Sequence, residues 1–258
     1  MPDFKTSPGT RDILSPDSAR WRVFQEVFAT TVEAAGYLYI IPPMFEDLDV
    51  FLRLGEATEV VTKEMYDFHD KGGRHIALRP EQTASVCRAF VEHRPITPWK
   101  VWYSGPNFRY EKPQQGRYRQ FDQVGIEALG VDDAFLDAEV ISLAAKFYSA
   151  LGLRQVELSI NSLGDSGDRD KYAKQLAEYF AKHDSKLTAE SKATLSRNPL
   201  RVLDSKREPD QEIIAEAPAI RDSISSQSRE HFEAVLRALD ALKISYKLND
   251  RWVRGLGY

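Results

Sequence analysis

Between Asn107 and Glu127 the chain alternates with a period of two, and this stretch constrains the fold more than any other. Successive side chains of an extended strand face opposite sides. Asn107, Arg109 and Glu111 therefore share one side of a first strand, with Phe108 and Tyr110 on the other. In a second strand Arg119, Phe121, Gln123, Gly125 and Glu127 share a side, while Val124, Ile126 and Ala128 point toward a core. The connection, Lys112-Pro113-Gln114-Gln115-Gly116-Arg117, is long for a hairpin and carries two cations and two amides. An arginine, a carboxylate, an aromatic ring and a carboxamide on one sheet surface, beside a basic loop, suit a nucleotide next to a small zwitterion. The plainer alternative is that Arg109 and Glu111 form an ordinary surface ion pair, Phe121 is core and Glu127 is a solvated acid at a strand end.

The flanks define the rest of the architecture. Ser15-Pro16 reads as N-cap and first helical position, and Trp21, Phe24, Phe28 and Val32 follow at helical spacing until Gly36. Tyr37 to Ile41 is a short strand ended by Pro42-Pro43, because proline cannot donate to a ladder. Glu64 to Phe68 and Arg74 to Leu78 flank the turn Asp70-Lys71-Gly72-Gly73 and form an antiparallel hairpin. A helix runs to Phe90, with Glu81 and Thr83 able to cap it. Lys100 to Ser104, Asn107 to Glu111 and Arg119 to Leu129 read as strands, and Phe135 to Leu151 as a helix ended by Gly152. Strands that follow one another without helices between them predict an antiparallel sheet, so the class is α+β. From Asp165 to Leu242 the texture becomes charged and helical, with one stripe at Tyr172, Leu176, Tyr179 and Phe180 and another at Phe232, Leu236 and Leu239. The expected division is 1–164 as a core, 165–243 as a helical insertion and 244–258 as a return to the core.

The net charge of −4 argues against binding nucleic acid through bulk positive charge. The segment Arg94 to Phe121 nevertheless carries six basic residues against Glu111 alone, a local +5 that leaves −9 for the remainder. A compact cationic strip in an acidic chain suits a polyphosphate or a nucleic-acid end better than long duplex DNA, with a solvated basic face as the equally open, plainer alternative. The lone Cys87 excludes an internal disulfide, and no Cys/His cluster, His69, His75 and His93 included, has the spacing of a structural metal site. No run approaches the roughly 20 apolar residues of a membrane span, and Met1 to Arg11 lacks a signal-like apolar core. A cytoplasmic location is expected.

Phe108-Arg109-Tyr110-Glu111, the loop Gln114 to Arg117 and Arg119-Gln120-Phe121 resemble motif 2 of class II aminoacyl-tRNA synthetases. The histidyl branch fits best. Supporting strings are Gly9-Thr10-Arg11-Asp12, Pro43 with Glu46 in a motif 1 setting, Lys63-Glu64-Met65-Tyr66 and Arg79-Pro80-Glu81-Gln82-Thr83. Val253-Arg254-Gly255-Leu256-Gly257-Tyr258 resembles the histidine-specific signature, usually Arg-Gly-Leu-Asp-Tyr-Tyr. Several such strings in this order at these spacings make coincidence a poor explanation.

The resemblance implies a histidine–tRNA ligase that forms histidyl-adenylate from histidine and ATP and transfers histidine to tRNA(His). It makes Arg109 and Arg254 the catalytic cations on either side of the α-phosphate. Arg117 would meet the outer phosphates, Phe121 would stack on adenine and Glu111 would lie near the adenine end. Glu81, Thr83 and Gln123 fall to the histidine ammonium, Glu127 to its ring, and Arg254 and Tyr258 to the same pocket. Gln114 and Arg117 would contact the end of tRNA. ATP would arrive with magnesium, with no structural metal, and motif 1 implies a homodimer built around Pro43. Two departures stand out: Gly257 replaces the usual Asp, and the chain stops at Tyr258, before motif 3 and an anticodon domain. On that basis the chain reads as a fragment with an exposed sheet edge, inactive or weakly active by itself. The main alternative is a synthetase-like, non-catalytic regulatory subunit of ATP phosphoribosyltransferase in histidine biosynthesis. A bare dimerisation module is a third.

Overall fold

The computed structural model describes residues 4–52, 64–112, 114 and 116–253. They form two compact units, one from residues up to Asp132 with Leu143–Leu153, the other from Asp133–Ser142 with residues from Arg154 onward.

In the first unit the elements follow as α1 (Asp17–Glu33), β1 (Leu38–Tyr39), β2 (Phe45–Asp47), α2 (Leu48–Leu52), β3 (Tyr66–His69), β4 (His75–Leu78), α3 (Thr83–His93), β5 (Trp99–Phe108) and β6 (Gln120–Leu129). The last turns of α4 (Ala134–Ala150) also belong to it. Two three-stranded sheets result, ordered β1-β5-β6 and β2-β4-β3. The β3–β4 hairpin is as the turn residues dictate: Gly73 takes φ +80°, and the Asp70 carboxylate accepts from the amides of Gly72 and Arg74. One neighbour departs from the antiparallel expectation, since β1 runs parallel to β5, pairing Leu38 with Val101 and Tyr39 with Trp102. The long connection through the hairpin and α3 supplies the crossover a parallel pair needs.

The even face of the β5–β6 ladder is the apolar one. Trp102, Val124, Ile126 and Ala128 pack against Phe24, Phe28 and Val32 of α1 and Leu143 and Phe147 of α4. Phe28 and Phe147 meet edge to face at 5.0 Å, an arrangement that adds to the area each ring buries. Burying each large apolar side chain contributes about 1.5–3 kcal/mol, so this stripe fixes which way β6 faces. The odd face meets α3, where Val86 packs with Val101 and Tyr103.

Three local expectations are corrected. Helix α1 begins at Asp17, with Pro16 at the N-cap position and no side-chain cap, so Ser15 does not cap it. The separate strands expected at Lys100–Ser104 and Asn107–Glu111 are one strand that crosses Gly105-Pro106. Phe108 sends its N–H away from β6, to the Arg79 carbonyl oxygen. Pro106, two residues earlier, has its nitrogen on that same outer side, so proline removes no bond from the β5–β6 ladder. Finally, regular pairing stops at Phe108 opposite Gln120, so Glu111 lies beyond the strand.

The second unit contains the start of α4, β7 (Ser159–Ile160), α5 (Ser166–Lys182), α6 (Ala189–Leu195), α7 (Glu208–Glu216), α8 (Ser226–Ala241) and β8 (Lys247–Leu248). Its core joins Tyr172, Leu176 and Phe180 of α5 to Val202, Leu203, Ile213, Ile214, Ile220 and Val253. Val235 and Leu239 of α8 pack instead with Ala138 and Ile160. Side-chain caps set the helix starts: Asp165 and Asp168 form a reciprocal capping box on α5, and Thr188 and Ser225 cap α6 and α8. Asp210 is fully buried and accepts from the Thr188 amide and from the Thr188, Ser191 and Ser205 hydroxyls. Among the described residues no helix is long and apolar enough to cross a membrane.

Candidate active site

The register pairs Val101 with Glu127, Tyr103 with Gly125, Gly105 with Gln123 and Asn107 with Phe121. Opposite residues share a face in an antiparallel pair, so all eight side chains or Cα hydrogens point to the side that α3 partly covers. Arg109 continues the ladder through its N–H to the Arg119 carbonyl oxygen at 2.9 Å. Its guanidinium lies over the Phe121 ring, 5.2 Å from the centroid, and its Nε donates to the Pro80 carbonyl oxygen at 2.9 Å. It makes no ion pair with Glu111, which instead meets Arg117 at 3.2 Å. The surface-pair reading of Arg109 with Glu111 therefore does not describe this site.

Glu127 is the centre of a second group. Its Oε1 accepts from the Thr83 hydroxyl at 2.7 Å and the Tyr103 hydroxyl at 3.2 Å. Burial pushes its pKa above the ordinary carboxylate value, and the two hydroxyl donors only partly oppose that shift. Burial likewise raises Tyr103, with the Glu127 charge adding to it. The phenol is thus a fixed donor at neutral pH. Both hydroxyls donate to Oε1, so Oε2 has capacity for a further donor. The Tyr103 ring lies directly over Gly125, where a Cβ would sit 2.4 Å from it. Glycine is needed there because the ring occupies the space a side chain would take.

Glu81 is buried at the start of α3 and accepts from the amides of Thr83 and Ala84, satisfying two of the helix's unpaired donors. Capping is therefore part of its role, while Thr83 turns its hydroxyl to Glu127. Gln123 accepts from the buried Asn107. Gln114 and Arg117 are exposed, and both bridge the loop through backbone bonds to each other. Arg254 and Tyr258 lie outside the described residues.

Beneath this surface Arg79, almost fully buried, donates to the carbonyl oxygens of Pro42, Pro43 and Pro106. Its guanidinium lies over Gly105, where a Cβ would be 2.6 Å from Nη2. Burial lowers its pKa, opposed at neutral pH by the negative charge of Glu46. The loop stem is held from outside: the Gly9 carbonyl oxygen accepts from the Arg119 amide at 2.7 Å, and the Arg119 guanidinium lies 3.9 Å from the Tyr110 centroid. Sequence reasoning singled out neither Tyr103 nor Arg79 for the site. Each left a partial signal: Tyr103 shares its parity with Asn107, and an arginine beside prolines that offer carbonyls but no N–H is a matched donor.

An antiparallel ladder with an arginine over an aromatic ring at one end, a hydroxyl-bound carboxylate at the other and a basic loop between its strands defines a class II aminoacyl-tRNA synthetase core. Residues 9–258 match the family model described as histidyl-tRNA synthetase. The chain belongs to the histidyl-tRNA synthetase family. A histidine–tRNA ligase of Lactiplantibacillus plantarum is 46% identical over 261 residues, taking in 99% of this chain and 61% of that protein. One from Corynebacterium jeikeium is 49% identical and takes in 97% of this chain and 57% of that protein. Among solved structures, apo histidyl-tRNA synthetase of S. aureus superposes with TM-score 0.76 at 35% identity, over 99% of this chain and 59% of that one. A Bacillus halodurans protein, described as an ATP phosphoribosyltransferase regulatory subunit/histidyl-tRNA synthetase, shares the fold at TM-score 0.68 and 20% identity, over 99% of this chain and 70% of that one. The chain spans about 60% of the length of the curated relatives it matches.

Proposed function

We propose that this chain carries the histidine- and ATP-binding face of a histidine–tRNA ligase. The observation that carries the reading is the odd face of β5–β6, with Arg109 on Phe121 at one end and Glu127 bound by Thr83 and Tyr103 at the other. The α-carboxyl of histidine, with a pKa near ~3.5, is already ionised at neutral pH and needs no base to attack the α-phosphorus of ATP. One carboxylate oxygen bonds to phosphorus as pyrophosphate leaves. The obstacle is two anions meeting in line, so positioning and fixed cations do the catalysis. Arg109 supplies one such cation, and Arg254 is the second. Phe121 offers a stacking surface to adenine, with Glu111 nearby, and Arg117 reaches the outer phosphates once it leaves Glu111. That exposed ion pair contributes about 0–1 kcal/mol, so releasing it costs little. Magnesium would accompany ATP on its phosphate oxygens.

Histidine presents an ammonium to Glu81, Thr83 and Gln123 and a ring N–H to Glu127, with Arg254 and Tyr258 completing the pocket. A carboxylate placed for a ring N–H discriminates against side chains lacking one, because it would be left buried without its partner. In the second step a ribose hydroxyl at the tRNA end attacks the activated carbonyl carbon and AMP leaves, with Gln114 and Arg117 contacting that end. We further propose that 165–243 is a helical insertion between the segments 1–164 and 244–258, whose nearest residues, from Arg154 on and including Val253, pack in the same compact unit as its helices. Leu38, Tyr39, Ile41, Met44 and Phe45 are exposed around Pro42-Pro43, which favours a homodimer there. A cytoplasmic location goes with this reading.

Calorimetric titration with a non-hydrolysable histidyl-adenylate analogue tests the site. The chain is expected to bind it, and Arg109→Ala to weaken binding by about tenfold or more, the worth of a charge-assisted contact. No binding by the unaltered chain would overturn the reading. A monomer by light scattering at micromolar concentration would remove the dimer alone.

A further inference from the structure

Asn107 is absent from the roles set out above, yet it is fully buried, with 0% exposure, on the face that carries them. Its Nδ2 donates to Gln123 Oε1 at 2.6 Å, across the diagonal between the Asn107–Phe121 and Gly105–Gln123 pairs. No other hydrogen bond joins a Gln123 side-chain atom to a described residue. A glutamine amide is nearly symmetric in shape but opposite in chemistry at its two ends, so whatever fixes its flip decides whether it offers an acceptor or a donor. Here a buried donor holds the oxygen. An amide oxygen accepts two hydrogen bonds, so one remains for a donor arriving from the ligand side.

We infer that Asn107 is a positioning residue that sets the flip of Gln123 and thereby makes this part of the pocket selective for a protonated amine. The inference rests on the histidine reading above and names the part of the ligand that Asn107 governs. Gln123 would accept from the ligand's ammonium while Asn107 holds the same oxygen from below. Spare buried acceptors lie beside this contact. Among the described residues Gln82 Oε1 and Asn107 Oδ1, both on fully buried residues, accept no hydrogen bond. Gln82 reaches the Gly105 carbonyl oxygen at 3.5 Å, which places it beside the strand pair that carries Gln123. Buried acceptors without donors are costly.

The test compares histidine with imidazolepropionate, which has the ring and the carboxylate but no ammonium. Affinities for both are measured by titration for the unaltered chain, Asn107→Leu and Asn107→Asp, with Gln123→Ala as reference. The unaltered chain is expected to prefer histidine, and Asn107→Leu, close in size but without the donor, to lose about tenfold in that preference, equivalent to one hydrogen bond to a charged group. Asn107→Leu in the Gln123→Ala background should add nothing further. Asn107→Asp should reverse the Gln123 amide and lose the preference too. If its buried charge prevents folding, Asn107→Leu decides alone. A merely structural role would weaken both ligands equally. A preference that survives in Asn107→Leu overturns the inference while leaving the histidine reading intact, whereas an unaltered chain that binds neither ligand overturns both.

Discussion

Replacing Glu127 by glutamine should move stability and ligand binding in opposite directions. Two effects compete on the stability side. A hydrogen bond to a charged acceptor contributes about 1.5–3 kcal/mol and one to a neutral acceptor about 1, so the Thr83 and Tyr103 bonds weaken by about 1–2 kcal/mol each at most. Against that, removing a buried charge relieves a desolvation cost of about several kcal/mol. Burial is the dominant influence on Glu127, since it raises the pKa despite both donors. The neutral side chain is therefore the better fit to the fold, and Glu127→Gln should gain about 1 kcal/mol at pH 7, a rise of about 2–4 °C in Tm. The pH dependence carries the same sign. Between the ordinary carboxylate value, near ~4.3, and the raised native one, the folded protein holds a proton that the unfolded chain has lost. Stability of the unaltered protein thus falls as pH rises through that window, and the variant lacks this slope. Binding goes the other way. A ring N–H that met a carboxylate now meets a neutral amide oxygen, a bond about half as strong, so histidine affinity should drop about tenfold. Thermal melts from pH 4 to 8 and calorimetric titration with histidine measure both. A variant that is less stable at pH 7, or that binds histidine as tightly as before, would refute the reasoning.

Three further substitutions probe the scaffold. Arg79→Met keeps the volume but leaves the carbonyl oxygens of Pro42, Pro43 and Pro106 without their donor, and should cost about 3 kcal/mol or more in urea unfolding. Gly125→Ala puts a methyl group into the Tyr103 ring and should cost about 1–3 kcal/mol, with Tyr103 near-ultraviolet absorbance shifting as the phenol leaves Glu127. Burial alone would raise the Asp210 carboxyl, but the four donors around it outweigh that and hold it below the ordinary carboxylate value. Its contribution is therefore present above that value and lost as pH falls through the native pKa. Asp210→Asn should cost the second unit about 2 kcal/mol at pH 7 and flatten its acid sensitivity, as read by circular dichroism of its helices.

What the sequence made legible was set by periodicity and turn chemistry. The even face of β6, the β3–β4 hairpin and α4 all follow from residues whose spacing admits one geometry. The odd-face residues Phe121, Gln123 and Glu127 were legible for the same reason, since parity survives any shift of an element boundary. Register was not legible, and register is what brings Tyr103 to Gly125 and Asn107 to Gln123. Pro106 misled because a proline reads as a break unless the direction of its missing N–H is known. Glu111 misled because alternation in sequence continues beyond the point where pairing ends. The long-range bond from Thr83 to Glu127, 44 positions apart, has no local signal at all.

Arg79 has a last implication. The β1-β5-β6 and β2-β4-β3 sheets have no strand in common. Yet this one residue follows β4 directly, takes the Phe108 amide on its carbonyl and reaches Pro106 with its side chain. A single rivet of this kind makes it hard for either sheet to open alone. Amide protons of Ala77 and Ile126, in different sheets, should then exchange with solvent through one shared opening event rather than two independent ones.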